Sequence, residues 1–306
     1  MPSGSQRMPA AKSRHPSVAA LLATCPGERN LKNVIRVRAK EKVLVAKARE
    51  WQGPPFCPLI FCSHFGIRCF EVGHQIGGDG RILLGRDDRP RIEYVSGRTK
   101  ERQRFTIFHE FGHTLFPDFC QFVPLYHGGG TVVSPEEKEF EHLCDVAAAE
   151  MLFPESEFIE DLGSLGRIGF TEIRHLKNRY EASIDATCHR LADLCNSVAC
   201  SFAFLTDRRG DYSGRGPLWV RYSTPNSLFK GFVAPGTVPP IGSVALECLR
   251  GTEPTVGPVK ETWWIRGSPR SYLVEAARLP VVDNPDYPKV VVIFLPQGYK
   301  GGPGFQ

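Results

Sequence analysis

One short pattern, H-E-F-G-H at residues 109–113, constrains the fold of this chain more than any other feature of its sequence. Residues four positions apart lie on the same face of an α-helix, so His109 and His113 can point at one metal ion if this stretch is helical. Glu110 would then lie beside the open coordination position and act as the catalytic base on a metal-activated water molecule. The pattern therefore predicts a helix that carries a divalent ion, zinc above all, and the base of a hydrolytic reaction.

The residues around this pattern predict a largely buried helix from Thr99 to about Phe116. With an advance of about 100° per residue, His109, Glu110 and His113 share one narrow arc. Apolar residues cover most of the remaining surface: Phe105, Ile107, Phe108, Phe111, Leu115 and Phe116. Two core histidines bonded to backbone carbonyls are the alternative, but they would leave a buried glutamate without a cation, at a considerable desolvation cost. Since a glycine inside a helix costs about 1 kcal/mol relative to alanine, Gly112 predicts that another backbone passes close by.

A catalytic zinc ion takes three protein ligands and keeps its fourth position for water. A second helix, predicted from Ser134 to about Phe153, offers Glu141, which lies 28 residues (141 − 113) after His113. Residues 134–137 form a capping box that predicts where this helix begins. Asp145, one turn after Glu141, is predicted to accept the free N–H of a ligating histidine. A solvated helix-surface carboxylate is the alternative interpretation of Asp145.

Other residues near these helices are rival candidates. His142 and His127 compete with Glu141 as third ligand, but His142 lies about 100° away from Glu141 around the helix and is predicted to be exposed. Tyr126 and His127 fall in the glycine-rich connection between the two helices and are candidates for contact with the substrate or its oxyanion. Two histidines and one glutamate do not enforce the identity of the metal, so the site is also compatible with Mn²⁺.

The rest of the sequence predicts an α+β chain in three parts. Residues 1–30, rich in proline, serine and basic side chains, are predicted to form a flexible leader. Residues 31–196 are predicted to contain helices and three short strands, at 67–72, 81–84 and 91–95. Residues 197–306 alternate apolar runs with Gly and Pro turns, which predicts a strand-rich α/β domain with one helix at 242–249. The boundary between the last two parts is placed near Ser197.

Composition narrows the setting in which the chain works. No secretory signal and no run of about eighteen apolar residues is found, so we expect a cytoplasmic protein without a membrane partner. The 10 cysteines include no C-x-x-C pair, which predicts free thiols in a reducing compartment. Cys57, Cys62 and Cys69 match no common zinc spacing and are interpreted as small buried hydrophobic residues.

Two stretches resemble one known family, the ImmA/IrrE metallo-endopeptidases. Residues 102–113 are similar to its active-site helix, and residues 141–154 are similar to its E-x-x-A-N-x-F-A-x-x-L-L-M-P segment. Residues 179–183 and 190–191 resemble its later helical pair. In this chain Cys144, Asp145 and Ala147 replace the family's Ala, Asn and Phe, and none of these changes removes a ligand. The Asn to Asp change adds negative charge near the metal.

The resemblance covers roughly residues 35–196 and carries its own expectations. It implies a zincin-like metallopeptidase domain over residues 31–196, with Glu141 as the third zinc ligand. It also implies a protein substrate, namely an XRE-type helix-turn-helix repressor that is cleaved in a stress response or in mobile-element control.

Two other classes of function remain as alternatives. Basic residues between 32 and 49 and a predicted helix pair, 171–180 with 184–195, are compatible with a DNA-binding transcriptional regulator. Charge runs are usually solvated helix faces, and the pair lacks a clear recognition surface, so we do not expect direct nucleic-acid binding. Residues 197–306 are also compatible with a ligand-sensing or partner-binding module that regulates the peptidase. Trp263 and Trp264 are its candidate pocket residues, although neighbours on a strand face opposite sides.

Overall fold

The computed structural model describes residues 14–73, 76–85, 87–122, 134–207, 218–265, 267–280 and 288–300. The chain divides into two compact units, Met1–Leu152 and Phe153–Gln306. Helices and a small sheet make up the first unit, and helices and a five-stranded sheet make up the second. The predicted α+β class is confirmed. Among the described residues, every helix is too short or too polar to cross a bilayer.

The N-terminal unit combines helices with a three-stranded sheet. Its helices are α1 (Pro16–Ala23), α2 (Leu31–Lys47), α3 (Pro58–His64), α4 (Lys100–Gly112), α5 (Phe119–Phe122) and α6 (Pro135–Leu152), and a 3₁₀ turn (His113–Leu115) continues α4. Its strands are β1 (Arg68–Val72), β2 (Gly80–Leu84) and β3 (Pro90–Val95). Strand β3 lies in the centre, parallel to β1 and antiparallel to β2, so β2 is an edge strand within the described sheet.

Helices α4 and α6 meet where the sequence predicts close approach. A Cβ placed on Gly112 would lie 3.2 Å from the carbonyl oxygen of Cys144 and 3.3 Å from the Cβ of Ala147. The prediction that another backbone passes close to Gly112 is therefore confirmed. The predicted capping box is also present, because the Glu137 amide donates to Ser134 Oγ (3.1 Å) and the Ser134 amide donates to Glu137 Oε2 (3.0 Å).

An aromatic cluster covers the apolar side of α4. The Phe61 ring of α3 lies 5.5 Å from the Phe108 ring and 4.9 Å from the Phe111 ring, both nearly edge-on. Trp51 packs 4.8 Å from Phe61 and 6.3 Å from Phe108. Burial of these rings fixes the rotation of α4, because turning the helix would expose them to water. The polar stripe with His109 consequently faces away from the cluster.

Part of the predicted flexible leader is ordered. Helix α1 buries Val18 and Leu21 completely, and the His15 ring stacks on Phe140 of α6 with centroids 4.3 Å apart. Arg38 of α2 donates a hydrogen bond to the hydroxyl of Thr24, just beyond α1, at 2.6 Å. The structure thus differs from the prediction over residues 14–30. Eight helical residues are too few to produce a recognisable period, and their packing partners lie far away in sequence.

The C-terminal unit contains α7 (Glu155–Leu165), α8 (Phe170–Tyr180), α9 (Ile184–Leu194) and α10 (Val244–Arg250). Its strands are β4 (Ser201–Asp207), β5 (Leu218–Pro225), β6 (Thr255–Ile265), β7 (Ser268–Arg278) and β8 (Val290–Leu295). They form one sheet in the order β5-β4-β8-β7-β6, with all neighbours antiparallel. The α/β description predicted for this region is therefore corrected. The turn between β6 and β7 is short enough for a hairpin, whereas a parallel pair requires a crossover of a dozen or more residues.

The predicted boundary near Ser197 also differs from the division of the structure. Helices α8 and α9 pack on the C-terminal sheet through long-range contacts: the Phe170 amide donates to Glu275 Oε1 (3.1 Å), and the Tyr222 hydroxyl donates to Asp185 Oδ1 (3.0 Å). These contacts place the helices in the same compact unit as the strands. A shift from helical to strand composition marks a change of secondary structure, and here it does not mark a domain boundary.

Strands β6 and β7 each contain 11 residues, and the middle of β6, at residues 257–260, is exposed. The predicted alternation of the tryptophan pair is confirmed: Trp263 is 1% exposed and Trp264 is 63% exposed. Trp263 belongs to the hydrophobic core of the unit.

Candidate metal centre

Helix α4 brings the three residues of its polar stripe together. The rings of His109 and His113 lie 5.2 Å apart, and Oε2 of Glu110 is 3.8 Å from Nε2 of His113. One potential ligand atom from each of these residues lies within 4.8 Å of the other two, and no other group of three metal-binding side chains within the described ranges meets that condition. The i, i+4 spacing produces this cluster because the helix is regular up to Gly112.

Helix α6 contributes two carboxylates to the same place. Oε2 of Glu141 lies 2.9 Å from Nε2 of His109, and Oδ1 of Asp145 lies 2.9 Å from Nδ1 of the same ring. Burial opposes a charge on His109, but the hydrogen bonds with Asp145 and Glu141 outweigh it and raise the pKa of His109 to about 10. A metal ion bound at Nε2 would displace the proton that this nitrogen shares with Glu141.

His113 has a different environment. Burial lowers its pKa to about 3, so the ring is neutral, which is the form that binds metal ions. Its Nδ1 lies 3.5 Å from Sγ of Cys144, and its ring packs 5.1 Å from Phe140. The thiol is a weak hydrogen-bond partner, and the contact with Phe140 also helps to orient this ring.

The two nearby glutamates differ in charge state. Burial raises the pKa of Glu110 to about 7, against the opposing effects of the His109 charge and the Ile82 backbone. For Glu141, burial also acts upward, but the hydrogen bond with His109 prevails and lowers the pKa. One carboxylate can thus exchange a proton near neutral pH, and the other remains ionised.

The polar stripe borders a cavity of about 160 Å³. Its lining residues are Gly80, Arg81, Ile82, His109, Glu110, His113 and Glu141. Sequence reasoning did not predict the lining residues that β2 contributes, because a contact between an edge strand and a helix leaves no periodic pattern in the sequence. A glycine at the start of a strand was the one available hint, because it commonly marks the close approach of another group.

The other residues that the sequence singled out lie elsewhere. Tyr126 and His127 lie outside the described residues. His142 is exposed, as predicted. All 10 cysteines are free thiols, as predicted, and Cys144 alone among them lies against a histidine of the stripe.

The donor set fits a divalent metal ion. Two imidazoles with one glutamate form the His₂Glu set of catalytic zinc sites in hydrolases. Glu141 of α6 touches His109 directly, whereas the group whose three ligand atoms all lie within 4.8 Å of one another consists of His109, Glu110 and His113. Asp145 lies at the other ring nitrogen of His109, where ligating histidines usually make an outer hydrogen bond.

Comparison with known proteins agrees with this chemistry. Residues 62–192 match the sequence profile of the IrrE N-terminal-like domain, Peptidase_M78. A radiation response metalloprotease IrrE of Deinococcus radiodurans is 33% identical over 104 residues, or 32% of this chain and 29% of that protein. The protein of the same name from Deinococcus deserti is 31% identical over 149 residues, or 46% of this chain and 50% of that protein. The matches thus span half or less of the length of these relatives.

A solved structure resembles most of the chain. It is described as a Mycobacterium tuberculosis transcriptional regulator and aligns with a TM-score of 0.51, covering 90% of this chain and 79% of that one. At 14% identity this likeness concerns the fold alone.

Proposed function

Residues 62–192 form an IrrE N-terminal-like (Peptidase_M78) domain, and from this premise we propose that the protein is a zinc-dependent endopeptidase. The chain is distantly homologous to IrrE radiation response metalloproteases. The observation that carries the proposal is the contact of 2.9 Å between Glu141 of α6 and His109 of α4, at the edge of a cavity that His113 and Glu110 also line. Potential ligands from two helices converge there.

In this proposal His109, His113 and Glu141 hold the ion, with Mn²⁺ as an alternative to Zn²⁺. Glu110 belongs to the nearest three-donor group and is the rival third ligand. The charge states favour Glu141, because its lowered pKa keeps it anionic, whereas Glu110 titrates near neutral pH and suits proton transfer. Asp145 would orient His109 and strengthen it as a ligand.

When bound, the ion would supply Lewis-acid activation of water and of the scissile carbonyl. Glu110 takes the proton of the attacking water and delivers it to the leaving amine nitrogen, which returns the carboxylate to its starting form. Its burial beside β2 limits access of bulk water to this proton.

The substrate class follows from the family. We propose a protein substrate, specifically an XRE-type helix-turn-helix repressor whose cleavage relieves repression under stress. The name of the Deinococcus relatives, radiation response metalloprotease, supports a stress role. Repressors encoded beside the gene are the first substrates to test.

The test combines metal analysis with cleavage of these repressors. Wild-type protein should bind one zinc ion and cut a repressor at a defined bond. Glu110→Gln keeps the size of the side chain but removes the base, so we expect full zinc occupancy and no cleavage. Cleavage by Glu110→Gln at the wild-type rate would refute the assigned mechanism, and wild-type protein that binds neither zinc nor manganese would refute the metal site.

A further inference from the structure

The edge strand β2 lies directly against the polar stripe of α4 at Gly80. A Cβ on Gly80 would overlap Cγ2 of Thr106 and would lie 3.2 Å from both Cγ and Oε1 of Glu110. Gly80 is not among the glycines with positive φ, so backbone conformation does not demand glycine at this position. The close approach to Thr106 and Glu110 demands it.

Strand β2 cannot easily move away from α4. Asp79, the residue before β2, forms ion pairs with Arg102 of α4 (2.6 Å) and with Arg98 (2.7 Å). The Asp79 carbonyl accepts a hydrogen bond from the Val95 amide (2.9 Å), and Arg81 of β2 is paired with Glu93 of β3 (2.7 Å). These contacts hold the start of β2 between its sheet and the helix.

The residues on the helix side are Thr106 and Glu110, which lie one turn apart on the same face of α4. Glu110 is 8% exposed and faces the cavity, with Gly80 and Ile82 on its β2 side. Since β2 is tethered, an added side chain at position 80 would have to be absorbed by a displacement of Thr106 and of the Glu110 carboxylate.

We infer that Gly80 is a positioning residue for the proposed reaction. Because it has no side chain, the backbone of β2 packs directly against Glu110 and determines the position of the Glu110 carboxylate at the cavity. This inference rests on the proposed role of Glu110 as the base. A misplacement of about 1 Å in a catalytic group can cost about 100-fold in rate. A displacement of a few tenths of an ångström at Glu110 should therefore cost about tenfold.

The test compares Gly80→Ala with a matched glycine two residues earlier. A Cβ on Gly78 would meet only the carbonyl oxygen of Gly80, at an ordinary 3.6 Å, so Gly78→Ala is the control. Thr106→Ser removes the methyl group that overlaps the new Cβ. We expect Gly80→Ala to lower thermal stability through this overlap, and the double variant Gly80→Ala/Thr106→Ser to restore it. The close contact between the new Cβ and Glu110 remains in the double variant.

The first readout needs no peptide. Acetohydroxamic acid chelates zinc and forms a hydrogen bond with a neighbouring carboxylate, so its binding to the zinc-loaded protein, measured by calorimetry, reports on the position of Glu110. We expect Gly80→Ala, the double variant and Glu110→Gln to weaken this binding about tenfold, the value of one charge-assisted hydrogen bond. Gly78→Ala should bind as wild type does, and zinc affinity should stay within about twofold in all of them because no proposed ligand is changed.

The second readout is the cleavage of the repressor that the wild-type protein cuts, for which Gly80→Ala should lower kcat about tenfold with KM nearly unchanged. If Glu110→Gln weakens hydroxamate binding and Gly80→Ala does not, the role of Gly80 is overturned and the proposed function stands. If the double variant regains both thermal stability and hydroxamate binding, Gly80 is only a packing residue, and the inference is again overturned. Wild-type protein that binds neither zinc nor manganese would overturn the proposed function and the inference together.

Discussion

Buried titratable side chains have different surroundings in the two compact units. In the C-terminal unit, the Glu261 carboxylate accepts hydrogen bonds from the Ser243 hydroxyl (2.8 Å), the Val244 amide (2.6 Å) and the Trp263 indole (2.7 Å). In the N-terminal unit, Glu110 and His113 are equally buried but border a cavity. A carboxylate saturated by its own protein supports the fold, and one that faces a space is available for a ligand or a reaction.

Because of this difference, we expect substitutions in the two units to affect different properties, either stability or metal binding. Substitutions around Glu261 should change the free energy of unfolding and leave metal binding intact. Substitutions of the proposed ligands and of the proposed base should change metal binding or cleavage with little effect on stability, because functional groups are seldom placed for maximal stability.

The largest effect is expected for Glu141→Ala, which removes a proposed ligand. Loss of an outer hydrogen-bond partner of a ligand costs about 10–100-fold in metal affinity, so loss of the ligand itself should cost more than about 100-fold. Competition with a chromogenic zinc chelator measures this affinity. Glu139→Ala on the same helix is the control. Unchanged zinc affinity in Glu141→Ala would assign the third position to Glu110 instead.

The converse prediction concerns Glu261→Gln in the C-terminal unit. The amide nitrogen of glutamine donates hydrogen bonds and accepts none, so Glu261→Gln loses at least one of the three, and hydrogen bonds to charged groups contribute about 1.5–3 kcal/mol each. We expect a loss of about 2–3 kcal/mol in the free energy of unfolding, measured by urea denaturation, with wild-type zinc affinity. A drop in zinc affinity without loss of stability would break the comparison between the units.

A smaller effect is expected for Asp145→Ala, which removes the carboxylate on Nδ1 of His109. Zinc affinity should fall about 10–100-fold. Asp145→Asn retains an oxygen that can accept the same N–H, so it should lose less than Asp145→Ala. If Asp145→Ala and the wild type bind zinc equally well, Asp145 is a solvated surface carboxylate without a role at the metal.

Sequence reasoning located the parts of the site that depend on local geometry. The i, i+4 spacing of His109 and His113 and the capping box of α6 depend on contacts within one helix, so they can be read from a single stretch of sequence. The glycine at position 112 extended this reasoning to tertiary structure, because it predicts a close neighbouring backbone and the structure places that of α6 there.

The parts that were missed depend on contacts between distant segments. Gly80 lies next to Glu110 only because β2 folds onto α4, and no periodicity near residue 80 indicates that partner. Helix α1 and the division between the units follow the same rule, since His15 stacks on Phe140 and Phe170 bonds to Glu275 across long stretches of chain. Their energies appear only when the tertiary structure is known.

The smallest effect is expected for Cys144→Ala, and it sharpens the contrast between the two histidines of the stripe. His109 is held by a carboxylate at 2.9 Å, whereas His113 has a thiol at 3.5 Å. Because a thiol is a weak hydrogen-bond partner, its removal should change zinc affinity less than about threefold, well below the effect of Asp145→Ala. The same chelator competition measures both variants. A loss as large as that of Asp145→Ala would mean that the Cys144 thiol, and not packing against Phe140, determines which nitrogen of His113 is offered to the metal.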